Sequence, residues 1–214
     1  MDNDAEFDAA LVASAFSLAA ERGWSRVSVA QAARDADLPL DRARRRFPLR
    51  GVVLLRFGSL ADQAALELAT SEGSHRERLF DLLMRRIDFL QRHRAGVLAL
   101  LRHLPADPPL ALALAAANLC SMGWMLEGAG VSARGPLGHL RGKALLAVWL
   151  WTLRAWRRDD SEDLAATMAA LDQALLRAEQ AEDWLGGRRG AGKAASPPAE
   201  SPFDEPPAPE PSGL

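Results

Sequence analysis

Residues 23–50 read Gly23-Trp24-Ser25-Arg26-Val27-Ser28-Val29-Ala30-Gln31-Ala32-Ala33-Arg34-Asp35-Ala36-Asp37-Leu38-Pro39-Leu40-Asp41-Arg42-Ala43-Arg44-Arg45-Arg46-Phe47-Pro48-Leu49-Arg50. Ser28 is a good N-cap residue, and Gln31 three positions on completes the pattern of a capping box. A helix through Val29, Ala32, Ala33 and Ala36 follows, with small side chains that let another helix approach closely. Asp37-Leu38-Pro39 makes a turn, and Pro39 suits a helix start. The next helix, Leu40 to Phe47, sets Ala43 and Phe47 four apart on its inner face. That spacing places Arg42, Arg45 and Arg46 outward, with Arg44 on the flank. Pro48 ends the helix. Two short helices joined by a tight turn, the second one cationic, meet the physical requirement of a helix-turn-helix that reads DNA.

Charge supports this locally and not globally. The chain of 214 residues carries a net charge of only −2, so it is not a general polyanion binder. Between Arg22 and Arg56 there are nine arginines against three aspartates, a local excess that suits phosphates. Tyr is absent and Ala, Leu and Arg dominate, which favours helix over strand. Cys120 is the one cysteine, so no internal disulfide forms and a reducing, cytoplasmic setting is expected. The acidic N-terminus (Asp2, Asp4, Glu6, Asp8) is unlike a signal peptide.

Outward from the opening stretch, residues 5–22 form a helix with Phe7, Leu11 and Leu18 on one stripe, closed by Gly23. Arg50 opens a longer helix to about residue 70. Residues 75–93 carry Leu79, Phe80, Leu83, Met84, Ile87 and Leu90 on one side, with Arg85 and Arg86 among the arginines opposite. A shorter helix runs from Arg94 to His103. Pro109 to Leu126 contains no charge; with Asn118, Ser121 and Gly123 inside it, it reads as the central, all-round buried helix of a bundle rather than a membrane span. Leu137 to Arg157 holds Trp149, Trp151 and Trp156. The last helix, capped by Asp160 or Ser161, repeats Leu164, Met168, Leu171, Leu175 and Ala178 at a seam-like spacing. Seven of the chain's thirteen prolines lie in residues 187–214, a stretch too poor in apolar residues to order itself. The expected fold is all-α: a helix-turn-helix head (1–49), a helical body (50–186) and a disordered Pro-rich tail (187–214).

A three-helix head closing on Phe47-Pro48, a long fourth helix and a body ending in two apolar helices resembles the tetracycline-repressor (TetR) family. Ala19, Glu21-Arg22-Gly23-Trp24, Ser28-Val29-Ala30, Ala33, Ala36-Asp37-Leu38 and Phe47-Pro48 carry the likeness, over roughly residues 8–58. The resemblance implies a homodimeric DNA-binding repressor whose body takes a small apolar effector or lipid and whose last two helices dimerise. On this chain the DNA-binding positions are Ser28, Arg42, Arg44, Arg45, Arg46 and Arg50. The recognition helix departs from the family: Pro39 to Arg44 replace its Ser, Gly, Thr and Tyr positions, and Asp41 is unfavourable beside phosphate. Gly23-Trp24, Leu38-Pro39, Phe47-Pro48, Ala61-Asp62 and the segment Arg141 to Trp156 with Asp159-Asp160-Ser161 also resemble a lipid-binding accessory family of ubiquinone biosynthesis. In that family the same fold carries a degenerate helix-turn-helix.

Candidate pocket residues are Phe80, Met84, Ile87, Met122, Trp124 and Met125, because Met adapts to irregular apolar shapes. Candidate dimer residues are Trp149, Trp156, Leu164, Met168, Leu171 and Leu175; the two Trp fit a seam or a core equally well. Catalysis has no support. The histidines are scattered, no metal-ligand spacing occurs, no nucleotide or nucleophile motif is present, and no cofactor is expected.

Overall fold

Helix α1 (Asp2–Arg22) is stopped by Gly23, which turns the chain at φ +81° and ψ 150°, a conformation that only glycine adopts without strain. The fully buried Trp24 drops into the core directly after it. Ser28 then caps α2 (Val29–Asp35), its Oγ accepting from the Gln31 N–H at 3.1 Å. After Pro39 comes α3 (Leu40–Arg46), with Ala43 and Phe47 buried as their spacing requires. In this computed structural model residues 2–69 and 71–194 are described, with side chains for 4–69 and 71–181. All regular elements among them are helical: α4 (Arg50–Leu66), α5 (His75–Arg92), α6 (Arg94–His103), α7 (Pro108–Gly128), α8 (Gly135–Trp156) and α9 (Ala165–Ala194), with two short 3-10 turns.

Met1–Glu179 forms one compact unit. In it α1 lies along α6 and also packs on α2 and α4; α4 packs on α5 and α7, and α7 on α8. Gly96 explains the closeness of α6 to α1, since a Cβ there would sit 2.3 Å from the Phe16 carbonyl oxygen. Phe16 stacks on Phe57 of α4 at 4.0 Å, so aromatic packing continues from α1 into α4. The unit Gln180–Leu214 is described only as the continuation of α9 to Ala194. That helix runs past residue 186, where the tail was placed; residues 195–214 lie outside the described residues.

Two expectations change, and one helix start gains an explanation. Helix α4 stops at Leu66 instead of near residue 70. Helix α5 begins with a full capping box: Ser74 Oγ accepts from the Glu77 N–H, and Glu77 answers to the Ser74 N–H at 2.7 Å. Helix α7 is not buried all round. Only 22% of its apolar stretch is inside, and Leu112 (74% exposed) and Trp124 (66%) face outward. An uncharged helix has no polar side to announce which face packs, so its burial is set by its neighbours α4, α5 and α8, which cover one side.

The α8–α9 turn is held by Asp159 and not by Asp160 or Ser161 as expected. The buried Asp159 carboxylate accepts from Thr167 N–H and Oγ1 (both 2.7 Å) and from Ser161. These bonds, led by the Ser161 hydroxyl, bring its pKa down to about 2. A depressed carboxylate stabilises the fold above its unfolded pKa, near 4, and loses that contribution as pH falls through about 2. Asp159→Asn is therefore expected to cost about 1–3 kcal/mol at neutral pH. Its melting temperature should also vary less than that of the parent chain between about pH 4 and pH 2.

Candidate nucleic-acid interface

The six head residues named from the sequence do not share one fate. Ser28 is exposed and spends its hydroxyl on capping α2. Arg44 and Arg45 are exposed on α3; Arg44 donates to the Pro48 carbonyl at 2.6 Å, and Arg45 pairs with Asp41 one turn away at 3.0 Å. That Arg45–Asp41 pair is about three-quarters exposed on both sides, so water and salt screen it and a phosphate can replace the Asp. Arg50, at the start of α4, donates to the Ser25 carbonyl at 3.1 Å and lies 3.9 Å from Asp107, the N-cap of α7.

Arg42 and Arg46 correct the sequence expectation. They do not point outward but back onto α1, each side chain about a quarter exposed. Arg46 grips Asp8 with two bonds (2.5 and 2.7 Å) and Asp4 with a third (2.9 Å). Arg42 also reaches Asp4, and its guanidinium stacks on the Phe7 ring at 4.4 Å. Arg56 of α4 adds a 2.9 Å contact to the same buried Asp8. Much of the local positive charge is thus balanced by the acidic first turns of α1. The hydrogen bonds to Asp8 lead in raising the Arg46 pKa, helped by the charges of Asp8 and Asp4, and together they outweigh the burial that opposes its charge. Asp4, Asp8 and Arg56 were not named as site residues; the acidic run was visible, but its 38-residue separation from α3 hid the pairing.

With this geometry in place, the chain can be compared with known proteins. No family model matches it, and no curated protein sequence does. Solved structures do match. A TetR transcriptional regulator from Nitrosomonas europaea ATCC 19718 superposes with a TM-score of 0.65 at 23% identity, over 81% of this chain and 98% of that one. A TetR regulator from Rhodococcus sp. RHA1 gives 0.58 at 18% identity, covering 82% and 97%. A tetR-family regulator from Streptomyces coelicolor gives 0.56 at 20%, covering 92% of each chain. The chain has the TetR fold. Within it, α2 and α3 are two short helices joined by the turn at residues 36–39.

The body residues also sort differently from expectation. Ile87, Met122 and Met125 are fully buried core, and Phe80 and Met84 are partly buried. Trp124 is exposed, because it sits roughly 200° around the helix from Met122. Phe80 and Met168 line an open hollow of about 460 Å³ that is rimmed by the Arg76–Asp172 ion pair. Of the expected dimer residues, Trp149, Trp156, Leu164, Leu171 and Leu175 lie inside the protomer and cannot form a seam with a second chain. Trp156 Nε1 donates to Gln91 at 2.8 Å, and Arg94 stacks on its ring at 4.8 Å. Among the residues with described side chains, the exposed large apolar residues of α8 and α9 are instead Leu137, Leu140, Leu150, Trp151 and Leu176.

One buried group was placed on the wrong side of its helix. Arg86 is only 3% exposed and meets Asp62 of α4 at 3.1 Å, Asn118 of α7 at 3.1 Å and the face of Trp149 of α8 at 4.5 Å. Ser121 Oγ donates to the other Asp62 oxygen at 2.5 Å. The spacing Leu82–Arg86–Leu90 carried the signal, since all three fall on one helical stripe. Among the described residues no group of His, Cys, Asp and Glu is placed to hold a metal ion.

Proposed function

We propose that this chain is a homodimeric, effector-responsive DNA-binding regulator that acts as a repressor. The observation that carries it is the exposed edge of the helix-turn-helix on a TetR fold: Arg44, Arg45 and Arg50 are all exposed, Arg44 and Arg45 held only by local contacts within α3 and its end, and Arg50 by the Ser25 carbonyl and a long contact to Asp107. Guanidinium groups in this position bind backbone phosphate and reach guanine edges. The exposed apolar residues of α8 and α9 supply a face for a second copy, which a two-fold operator with half-sites about one helical turn apart requires. An effector bound among α4, α5, α7 and α8 would act through α4, which starts at Arg50, and a coupling of about 1–3 kcal/mol is enough.

Replacing Arg44 and Arg45 together with Ala is expected to weaken binding to promoter DNA at least tenfold. It should also lower the magnitude of the log–log salt slope by about two, one unit for each lost phosphate contact. Fluorescence anisotropy across a salt series measures both. The exposed apolar side of α7, with Leu112 and Trp124, favours a second reading, a lipid-binding protein with the same fold. Mass spectrometry of an organic extract separates the two. Isoprenoid lipid in the extract, together with no salt-dependent DNA binding, would replace the regulator reading.

A further inference from the structure

The first turn of α1 competes with DNA for the recognition helix. We propose that Asp4 occupies the place of a backbone phosphate on Arg42 and Arg46, so that DNA must displace it before those two arginines engage. This rests on the DNA-binding reading above. Arg42 and Arg46 are one turn apart on the same edge of α3, and Asp4 bonds to both. A carboxylate and a phosphate use the same guanidinium donors, so one excludes the other. The two aspartates that touch this edge have opposite characters. Asp8 is buried and is shared by Arg46 and Arg56, which makes it a fixed structural anchor. Asp4 is more than half exposed, so its bonds are screened and exchange readily with solvent. When Asp4 leaves, Arg46 keeps its Nε and Nη2 on Asp8 and presents Nη1. Arg42 keeps its place over the Phe7 ring. Both guanidiniums are therefore already oriented for an incoming phosphate.

The test compares the parent chain, Asp4→Asn and Glu6→Gln on a random-sequence duplex of roughly 30 base pairs, from about 50 to 200 mM salt. Glu6 is exposed on the same turn and controls for a simple change of net charge. Asp4→Asn is expected to bind about threefold or more tighter at the low-salt end, with a salt slope steeper by about one. Glu6→Gln is expected to move neither by as much. In an Arg42→Gln background the gain from Asp4→Asn shrinks. Equal effects of Asp4→Asn and Glu6→Gln, no effect of Asp4→Asn, or an undiminished gain in the Arg42→Gln background overturns the competition. If neither the parent chain nor Asp4→Asn binds DNA at all, the regulator reading falls and takes this proposal with it.

Discussion

On the proposed homodimeric reading, Trp151→Glu is expected to yield a monomer and to abolish tight operator binding while leaving the fold intact. Trp151 is 52% exposed on α8, and Leu140, Leu150 and Leu176 are also exposed on α8 and α9. So much exposed aromatic and aliphatic surface on two helices marks an interface. A Trp at the centre of such a surface commonly contributes 2 kcal/mol or more to association. In an isologous dimer the substitution is counted twice, because each copy presents the same residue, and two carboxylates then face each other across the two-fold axis. Light scattering after size exclusion is expected to show a single chain mass. Affinity for a two-half-site duplex should fall on the order of 10²–10⁴-fold, since the second head no longer binds at high effective concentration. Trp149→Phe is the contrasting substitution: Trp149 is core, so this change lowers the melting temperature and leaves the dimer in place. A dimer that survives Trp151→Glu overturns the assignment of this face.

The two tryptophans show what the sequence can and cannot settle. Trp149, Thr152 and Trp156 lie on one face of α8 and Trp151 on the other, as helical periodicity requires. Both faces are apolar, however, so periodicity alone does not say which one the protomer buries. The same ambiguity holds for α7, where Met122 and Met125 go inward and Trp124 outward. Where one face is polar the apolar side is legible, although Arg86 of α5 packs inside and not on the polar side. The Ser28 cap, the buried Ala43 and Phe47, and the boundaries of α3, α5 and α6 all follow from local chemistry. The charged site was the hardest part to read. Helical spacing turns Arg42 and Arg46 to one edge of α3, but only the tertiary placement of α1 brings Asp4 and Asp8 to that edge. Local charge counting therefore overstated the basic surface.

Arg86→Met is expected to be the most destabilising single change in the body, at about 3–5 kcal/mol. Arg86 and Asp62 are each other's charge partners away from water, with side-chain exposures of 4% and 14%. Removing the guanidinium leaves the Asp62 carboxylate with only the Ser121 hydroxyl to offset its burial. For a chain of this size the loss corresponds to a fall in melting temperature of roughly 6–20 °C. The pH dependence identifies the cause. Burial already raises the Asp62 pKa, while Arg86 and Ser121 pull it down. A carboxyl whose folded pKa is raised favours the fold below its unfolded pKa and loses that contribution as pH rises through the folded value. Without Arg86 the folded value rises further. The variant's melting temperature should therefore recover as the pH is lowered from about 7 toward 5, relative to the parent chain at each pH. Arg86→Met combined with Asp62→Leu removes both charges and is expected to regain more than half of the lost stability, because the cost lies in an unpaired buried ion and not in the missing attraction. A double variant no more stable than Arg86→Met would show that the hydrogen bond to Asn118 and the stacking on Trp149 hold these helices together, and not the ion pair. Asp62 lies on α4, the helix that begins at Arg50, so the same pair ties that helix to α5 and, through Asn118 and Trp149, to α7 and α8. Variants that keep the fold but lose the pair are thus expected to change DNA affinity without touching a DNA contact.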